Sequence, residues 1–438
     1  MEESYILKTI ALHYIEHFCG CSDYESEGDG DMLCGTNMSD IKISNRSAIL
    51  RLLHEEGAMS RKQIAARLKL TPATITVIIN ELMSEGILVE GISVPNAGAA
   101  GRREVMVEIS RSKHVALGIA FGSSSMFIVV VNLHGEQIHG EELGFPEELT
   151  PRAFVEKAAA RIKELIREQG YLEDYIIGLG ITICGVVDCA NGIILDSGGI
   201  WEEKNVPIVQ MLRKEFSFPV IAANSVRGFA NAYTFLQYDP KTQNMLFIRN
   251  EATMGVTILL DGQFYGGNRE MFDGIAHCTV VPGGRLCACG KQGCLNTIAS
   301  MDGMLESLRE CFGEERTPLI YRQIEGDFSR ITFSLFVEGA YAGDPGAWEV
   351  LQNAQEAFAN AVTFSIRLLN VQKIVFYGEM FENDRFFESL QEKLIKKTGG
   401  SYKDNIYKVV PSSLQLEWVA APIMAVTSFF NEGGHTDY

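Results

Sequence analysis

The chain has 438 residues, of which 46% are hydrophobic and 21% are charged, a composition typical of soluble globular proteins with about three domains. Its net charge of −18 argues against a protein that binds nucleic acid along its whole length. The longest apolar stretch, residues 176–187, is too short and too interrupted by glycine to span a bilayer. The N-terminus begins Met-Glu-Glu and lacks the basic region of a signal peptide. We therefore expect a cytoplasmic protein whose ten cysteines are thiols or metal ligands.

The charge is unevenly distributed along the chain. Residues 1–40 contain one lysine and nine acidic residues, and we interpret them as an acidic N-terminal extension. Residues 41–113 contain eleven basic and seven acidic residues, whereas residues 114–438 are acidic again. An acidic body repels phosphate, so the single positive segment is the part suited to contact DNA.

The positive segment predicts three short helices. Ser44 is a candidate cap for the first helix, and Ser60 with Gln63 forms a capping box for the second. Thr71 caps the third helix, where Pro72 occupies the first position and its missing N–H costs nothing. The apolar residues of the third helix recur at i, i+3, i+4 and i+7 and predict one buried face. They are Ile75, Ile78, Ile79 and Leu82.

Two alternating stretches, 87–90 and 105–109, predict a hairpin after the third helix. The order helix, helix, turn, helix, hairpin is typical of a winged helix-turn-helix, whose second motif helix enters the major groove by its N-terminal end. Small polar side chains on that helix and basic side chains nearby suit base edges and phosphates. The candidate DNA-binding residues are Arg61, Lys62, Thr71, Ala73, Thr74, Thr76 and Asn80, with Arg102 and Arg103 at the tip of the wing. The alternative is a three-helix module that binds protein.

After about residue 113 the sequence alternates strands and helices, which indicates an α/β body with mixed sheets in two lobes. Its sharpest motif is Cys287-Ala-Cys289-Gly-Lys-Gln-Gly-Cys294, with His277 ten residues upstream. Three thiolates and one imidazole satisfy the tetrahedral preference of structural Zn²⁺. All four positions are filled by protein, so the motif predicts one closed structural zinc site, with free thiols as the alternative.

The zinc motif resembles the hallmark of the ROK family of repressors and sugar kinases. The head is similar to the head of that family's repressors in three stretches, 60–65, 71–75 and 101–103. The likeness runs from about 41 to 430 and implies an actin-like, sugar-kinase-like body of two lobes. It also implies a homodimer or a dimer of dimers. The family's repressors normally bind operators near carbohydrate genes, and their affinity for DNA changes when a sugar binds.

On this resemblance the chain divides into an extension, a head and two lobes. The extension is 1–40 and the winged helix-turn-helix is 41–112. The first ROK lobe is 113–235, completed by a C-terminal helix near 420–438, and the second lobe, with the zinc site, is 236–419.

The sequence departs from the family's kinases at the residues that carry phosphoryl transfer. The aspartate base that follows an asparagine is replaced in the pair Asn224-Ser225, and a serine hydroxyl cannot act as a base near neutral pH without a further activating partner. The aspartate that opens the phosphate loop is Ala120. Both losses remove named parts of the reaction, so we expect no enzyme, and the alternative is a sugar kinase with a vestigial head.

The expected sugar site is also altered. Two glutamates of the family correspond to Gly274 and Asn296, so with Ser225 three carboxylates are missing, while Asn224 remains. Each lost acceptor should cost about 1–3 kcal/mol of sugar affinity. We therefore expect a changed or lost effector, with ordinary neutral-sugar sensing as the alternative.

The leading hypothesis is a DNA-binding transcriptional regulator, a repressor of carbohydrate-related genes, with a catalytically inactive sensor body. Its expected partners are a double-stranded operator, a sugar or sugar derivative and a second copy of the chain, with no membrane. A scaffold that uses the body for protein contacts is the third hypothesis.

Overall fold

A computed structural model describes residues 37–94, 104–239, 241–265, 274–409 and 415–435. The head consists of three helices and a three-stranded sheet of order β1-β3-β2. Its elements are α1 (Met38–Glu56), β1 (Met59–Ser60), α2 (Arg61–Leu68), α3 (Pro72–Glu85), β2 (Leu88–Val94) and β3 (Glu104–Ile109).

The caps of the head agree with the sequence at two helices and differ at one. Ser60 and Gln63 form the predicted capping box of α2, and the Thr71 side chain accepts the backbone N–H of Thr74 at the start of α3. The prediction that Ser44 caps the first helix is wrong. Helix α1 begins earlier because Asn37 forms a capping box of its own with Asp40, which satisfies the first free N–H groups.

The first lobe contains a five-stranded sheet of order β10-β7-β4-β5-β6. Strands β7 and β4 pair in parallel, as do β10 and β7, whereas β5 and β6 continue the sheet as an antiparallel meander. The elements of this lobe are β4 (Val115–Phe121), β5 (Ser125–Asn132), β6 (Gln137–Gly144), α4 (Pro151–Gln169), β7 (Ile176–Ile183), β8 (Val186–Asp188), β9 (Ile193–Asp196), α5 (Ile208–Arg213), β10 (Val220–Asn224) and α6 (Ser225–Leu236).

The second lobe has a five-stranded sheet of order β13-β12-β11-β14-β15. Its elements are β11 (Met245–Asn250), β12 (Met254–Leu260), β13 (Gln263–Phe264), α7 (Asn296–Ala299), α8 (Met301–Cys311), α9 (Pro318–Gln323), α10 (Phe333–Ala342), α11 (Pro345–Leu369), β14 (Lys373–Tyr377), α12 (Asp384–Lys397) and β15 (Ile406–Val409). A large apolar core fills the space between this sheet and its helices. Among the described residues, no helix is both long and apolar enough to cross a membrane.

The last helix, α13 (Leu416–Asn431), joins the lobes and the head. It lies on the sheet of the first lobe so closely that a Cβ atom at Gly180 would stand 1.7 Å from the Ala421 carbonyl oxygen. One continuous apolar core includes α13, the helices of the head and strands of both lobes. The head is therefore packed against the body and not merely tethered to it.

Candidate functional site

The outer face of α3 is a polar surface on a rigid helix. Ile75, Ile79 and Leu82 are fully buried beneath it, so the helix presents a fixed set of side chains to solvent. The exposed positions include Ala73, Thr76 and Asn80 of the predicted DNA-binding set. Packing of the apolar face therefore determines which side chains are available to a ligand.

Hydrogen bonds fix the conformation of several predicted contact residues. The hydroxyls of Thr71 and Thr74 lie 2.9 Å apart, and the hydroxyl of Thr76 donates to the Pro72 carbonyl. The guanidinium of Arg61 reaches from α2 to the amide oxygen of Asn80 at 3.3 Å. The two helices of the motif are thus connected across the surface that would face DNA.

Two features complete the description of the head surface. Lys62 is exposed beside Arg61 at the start of α2. Val77 is 57% exposed in the middle of α3. Arg102 and Arg103, predicted at the tip of the wing, lie outside the described residues.

The structure brings together the four predicted metal ligands, His277, Cys287, Cys289 and Cys294. One ligand atom from each lies within 4.8 Å of all the others. The Nδ1 atom of His277 is 3.3 Å from Sγ of Cys287, and Sγ of Cys289 is 3.6 Å from Sγ of Cys294. Tetrahedral bonds of 2.3 Å to zinc place two sulfur atoms about 3.8 Å apart. The donor set and its spacing therefore fit a tetrahedral Zn²⁺ ion.

Glycines shape the loop that carries the cysteines. Gly290 and Gly293 have φ angles of +84° and +70°, a region that disfavours other residues. A Cβ atom at Gly293 would stand 1.6 Å from the Val281 carbonyl oxygen. The motif spacing is thus a consequence of the turn that directs all three thiols to one point.

Two of the four predicted ligand-binding positions, Gly274 and Asn296, lie against the start of β12. The amide oxygen of Asn296 accepts the backbone N–H of Met254 at 2.7 Å. A Cβ atom at Gly255 would meet Val226, the residue after Ser225. Gly274 has a φ of +54°, and a Cβ atom there would stand 2.8 Å from Cβ of Val256. A glutamate at this position would therefore require the backbone to move.

Asn224 and Ser225 begin α6. The Asn224 side chain accepts the N–H of Val226 at 2.8 Å and donates to the Gly185 carbonyl. The Ser225 hydroxyl is buried and lies 3.3 Å from Sγ of Cys184. Both side chains are thus engaged within the first lobe.

Sequence reasoning missed a charged group between the lobes. Arg249, at the end of β11, forms an ion pair with Glu251 and donates to Sγ of Cys184 at 3.2 Å. The Tyr377 hydroxyl, on the neighbouring strand β14, donates to Glu417 of α13 at 2.9 Å. Burial raises the pKa of the Glu251 carboxyl, although Arg249 opposes that effect. The sequence did contain a sign of this group, because Arg249 directly follows the apolar run 245–248. A charged residue on a buried strand needs a partner.

Ala120, which on the resemblance is expected to correspond to an aspartate of the family's kinases, is buried inside β4. The turn that follows is closed by a hydrogen bond from the Gly122 N–H to the Ser125 carbonyl oxygen. The neighbouring Phe121 ring packs edge-on against Trp201 at a centroid distance of 5.7 Å. This hairpin is thus supported by aromatic packing.

The fold and these sites define a two-lobed α/β protein that carries a winged helix-turn-helix head. The ROK family model matches residues 116–417, more than half of the chain, and a model described as winged helix-turn-helix DNA-binding matches residues 44–89. The chain belongs to the ROK family. The resemblance and the fold class expected from the sequence are therefore confirmed.

Several relatives match across most of the chain. The DNA-binding transcriptional repressor Mlc of Escherichia coli K12 is 23% identical over 84% of this chain and 89% of its own length. The DNA-binding transcriptional dual regulator NagC of the same strain is 26% identical over 80% of this chain and 84% of its own. A xylose repressor of Caldicellulosiruptor bescii is 22% identical over 89% of this chain and 98% of its own length.

Solved structures show the same fold. A ROK family transcriptional regulator, described as a homologue of the E. coli MLC protein, superimposes with a TM-score of 0.73 at 22% identity, covering 90% of this chain and 98% of its own. A ROK family glucokinase from Streptomyces griseus, in complex with glucose and AMPPNP, covers 71% of this chain and 98% of its own with a TM-score of 0.55 at 18% identity. The fold of the body is therefore shared with solved structures described as a regulator and as an enzyme.

Proposed function

We propose that this protein is a DNA-binding transcriptional repressor of carbohydrate-related genes. The single observation that supports this most strongly is the outer face of α3, where Ala73, Thr76 and Asn80 are exposed on a helix capped by Thr71. Helices of this kind read base edges in the major groove. The names of the Mlc, NagC and xylose-repressor relatives support the same function.

We propose the following contacts with an operator. Thr74, Thr76 and Asn80 meet base edges or phosphates, Ala73 meets a thymine methyl, and the N-terminus of α3 at Thr71 receives a phosphate. Arg61 and Lys62 contact the backbone. Arg102 and Arg103 enter the adjacent minor groove.

We propose that His277, Cys287, Cys289 and Cys294 hold one structural Zn²⁺ ion. The ion would connect the loop 287–294 to the residues before it and stabilise this part of the second lobe. All four coordination positions are filled by side chains, which favours a structural role over a catalytic one.

We propose that the body senses a ligand without phosphorylating it. The resemblance implies that Ser225 and Ala120 stand where the family's kinases carry aspartates. The methyl group of Ala120 cannot bind a metal or a proton, and a serine hydroxyl is not a base near neutral pH without an activating partner. Gly274 has no room for a carboxylate without a shift of the backbone. We propose that Asn224, Ser225, Gly274 and Asn296 contribute to a site for an effector with fewer hydroxyl groups than a hexose.

We further propose that the protein acts in the cytoplasm as a homodimer or a dimer of dimers. A helix-turn-helix dimer reads two half-sites one turn of DNA apart, which increases both affinity and specificity. The domain boundaries near residues 40, 112 and 235 belong to the same proposal.

The proposal is tested by selecting duplexes from a randomised library with the full-length chain. We expect a sequence bound about 10³-fold more tightly than an unrelated duplex at physiological salt. Thr74→Ala should weaken binding by about 5- to 100-fold, whereas Ser84→Ala, an exposed hydroxyl in the last turn of the same helix, should have no effect. Enrichment of no sequence would contradict the proposal, and turnover of ATP and a hexose would favour a kinase.

A further inference from the structure

Arg46 is a fully buried arginine in the first helix of the head. It lies on α1, and its exposed fraction is 0%. A buried guanidinium is costly unless ion pairs and hydrogen bonds replace its water. The arrangement around Arg46 therefore has to be well defined.

Two carboxylates of the DNA-reading helix bind this guanidinium. Glu85, in the last turn of α3, accepts hydrogen bonds from both terminal nitrogens of Arg46, one of them at 3.0 Å. Glu81, one turn earlier, lies 3.5 Å from Nη1. Arg46 thus holds α3 from its buried side and, being inaccessible, does not itself contact DNA.

The third partner of Arg46 comes from the opposite end of the chain. Its Nε donates to the Gly433 carbonyl oxygen at 2.6 Å, across 387 residues of sequence. The neighbouring Arg51 of α1 donates to the side chain of Asn431, the last residue of α13. The C-terminal end of the body is therefore bonded to the same helix that holds α3.

The segment after α13 has a conformation that requires glycine. Gly433 and Gly434 have φ angles of +68° and +84°. A Cβ atom at Gly433 would stand 2.9 Å from Cβ of Arg46 and from the Ile43 carbonyl oxygen, and one at Gly434 would stand 2.8 Å from Ile87. This turn brings the Gly433 carbonyl into reach of the guanidinium.

The other end of α13 lies between the lobes. Glu417, in its first turn, accepts the Tyr377 hydroxyl of the second lobe. The helix packs along its length against the sheet and α6 of the first lobe, so a displacement of that lobe would carry the helix with it. Any shift of α13 that accompanies a change between the lobes therefore reaches Gly433 and Arg46.

We propose that Arg46 is the positioning residue through which the C-terminal end of the body, residues 431–434, sets the orientation of α3. The inference rests on the proposed DNA-binding function and adds how the body regulates it. It assigns a role in operator binding to a buried residue and to a segment of the body that lie outside the proposed DNA contacts.

The test uses the full-length chain and the duplex selected above, with affinity measured by fluorescence anisotropy and the active fraction by stoichiometric titration. Arg46→Met keeps the apolar stem of the side chain, removes the guanidinium group and leaves Glu85, which is 37% exposed, free to be hydrated. We expect at least about tenfold weaker operator binding. The matched control is Lys42→Met, which removes the same charge and another partner of Glu81 from an exposed position. We expect it to change affinity by less than about threefold.

Gly433→Ala disturbs the same contact, between Arg46 and the Gly433 carbonyl, by a change in the body. This variant can still be measured if Arg46→Met fails to fold. We expect it to weaken operator binding as well, and the double variant Arg46→Met/Gly433→Ala to bind no more weakly than Arg46→Met alone. Loss of affinity that multiplies in the double variant, or binding by Arg46→Met within about threefold of wild type, would overturn the inference. A wild-type chain that selects no duplex would instead refute the proposed function, so the two failures are distinguishable.

Discussion

His114, at the junction of head and body, should make the fold sensitive to acid. Its imidazole is buried, packs edge-on against Tyr175 and lies near Phe429. Burial, reinforced by the positive charge of Lys113, lowers the pKa of His114 to about 4, while Glu85 and a hydrogen bond to the backbone of Gly86 oppose the shift. The folded protein therefore keeps this ring neutral at pH values where the unfolded chain protonates it.

The sign and size of the effect follow from the two pKa values. Well above about pH 6.5 both states are neutral at His114, and the ring contributes no pH dependence to stability. As the pH falls from about 6.5 towards about 4, the unfolded chain binds a proton that the folded chain does not, so stability is lost. Between about pH 7.5 and pH 5 the loss should be about 2 kcal/mol.

Urea unfolding at these two pH values, for the wild type and for His114→Asn, measures this loss. The substitution changes the free energy of unfolding at both pH values. We therefore compare, within each protein, the free energy of unfolding at the higher pH with that at the lower pH. We expect the loss of unfolding free energy between the two pH values to be about 2 kcal/mol smaller in His114→Asn than in the wild type. His54, whose pKa is also lowered by burial, remains in both proteins and cancels. Equal pH dependence in the two proteins would refute the reasoning.

Three further outcomes are expected. Thr71→Ala removes the acceptor for the Thr74 N–H and should destabilise α3 by about 1 kcal/mol. We expect a lower melting temperature and weaker operator binding. An unchanged melting temperature and an unchanged operator affinity would show that the cap is unimportant. Cys289→Ser should reduce bound zinc well below one equivalent by elemental analysis and lower the melting temperature; Cys278→Ser, an exposed cysteine outside the cluster, is the control and should retain the metal. Tyr377→Phe removes the hydrogen bond to Glu417 and should cost about 1–2 kcal/mol of stability in urea unfolding, while an unchanged midpoint would mean that this contact is not formed in solution.

Local signals in the sequence predicted the head because local interactions determine it. The capping residues Ser60 and Thr71 and the apolar spacing of α3 act within a few residues, so their effect can be judged without knowing the rest of the fold. The start of α1 was predicted too late because Asn37 lies in a stretch rich in glycine and acidic residues that resembles a linker. The cysteine spacing was equally informative, since the three cysteines lie in one short loop and the structure brings them together with His277.

Contacts between distant parts of the chain were not predictable in the same way. The bond between Arg46 and Gly433 joins two ends of the sequence, and the spacing of Arg46, Leu50 and Leu53 indicates only that the arginine lies on the apolar face of α1. Likewise, Arg249 ends an apolar strand without revealing that its partner is Cys184 of the other lobe. Such residues are recognisable as buried charges, but their partners depend on the tertiary fold.

The most direct test of repressor function is a footprint of the full-length protein on the DNA upstream of its own gene and of the neighbouring genes. We predict protection of a site with two related half-sites about one helical turn apart, lost in Thr74→Ala and retained in Ser84→Ala. Protection should weaken steeply as salt is raised, because binding releases counterions from the phosphates. Uniform protection without a preferred site, or none at any of these regions, would contradict the account.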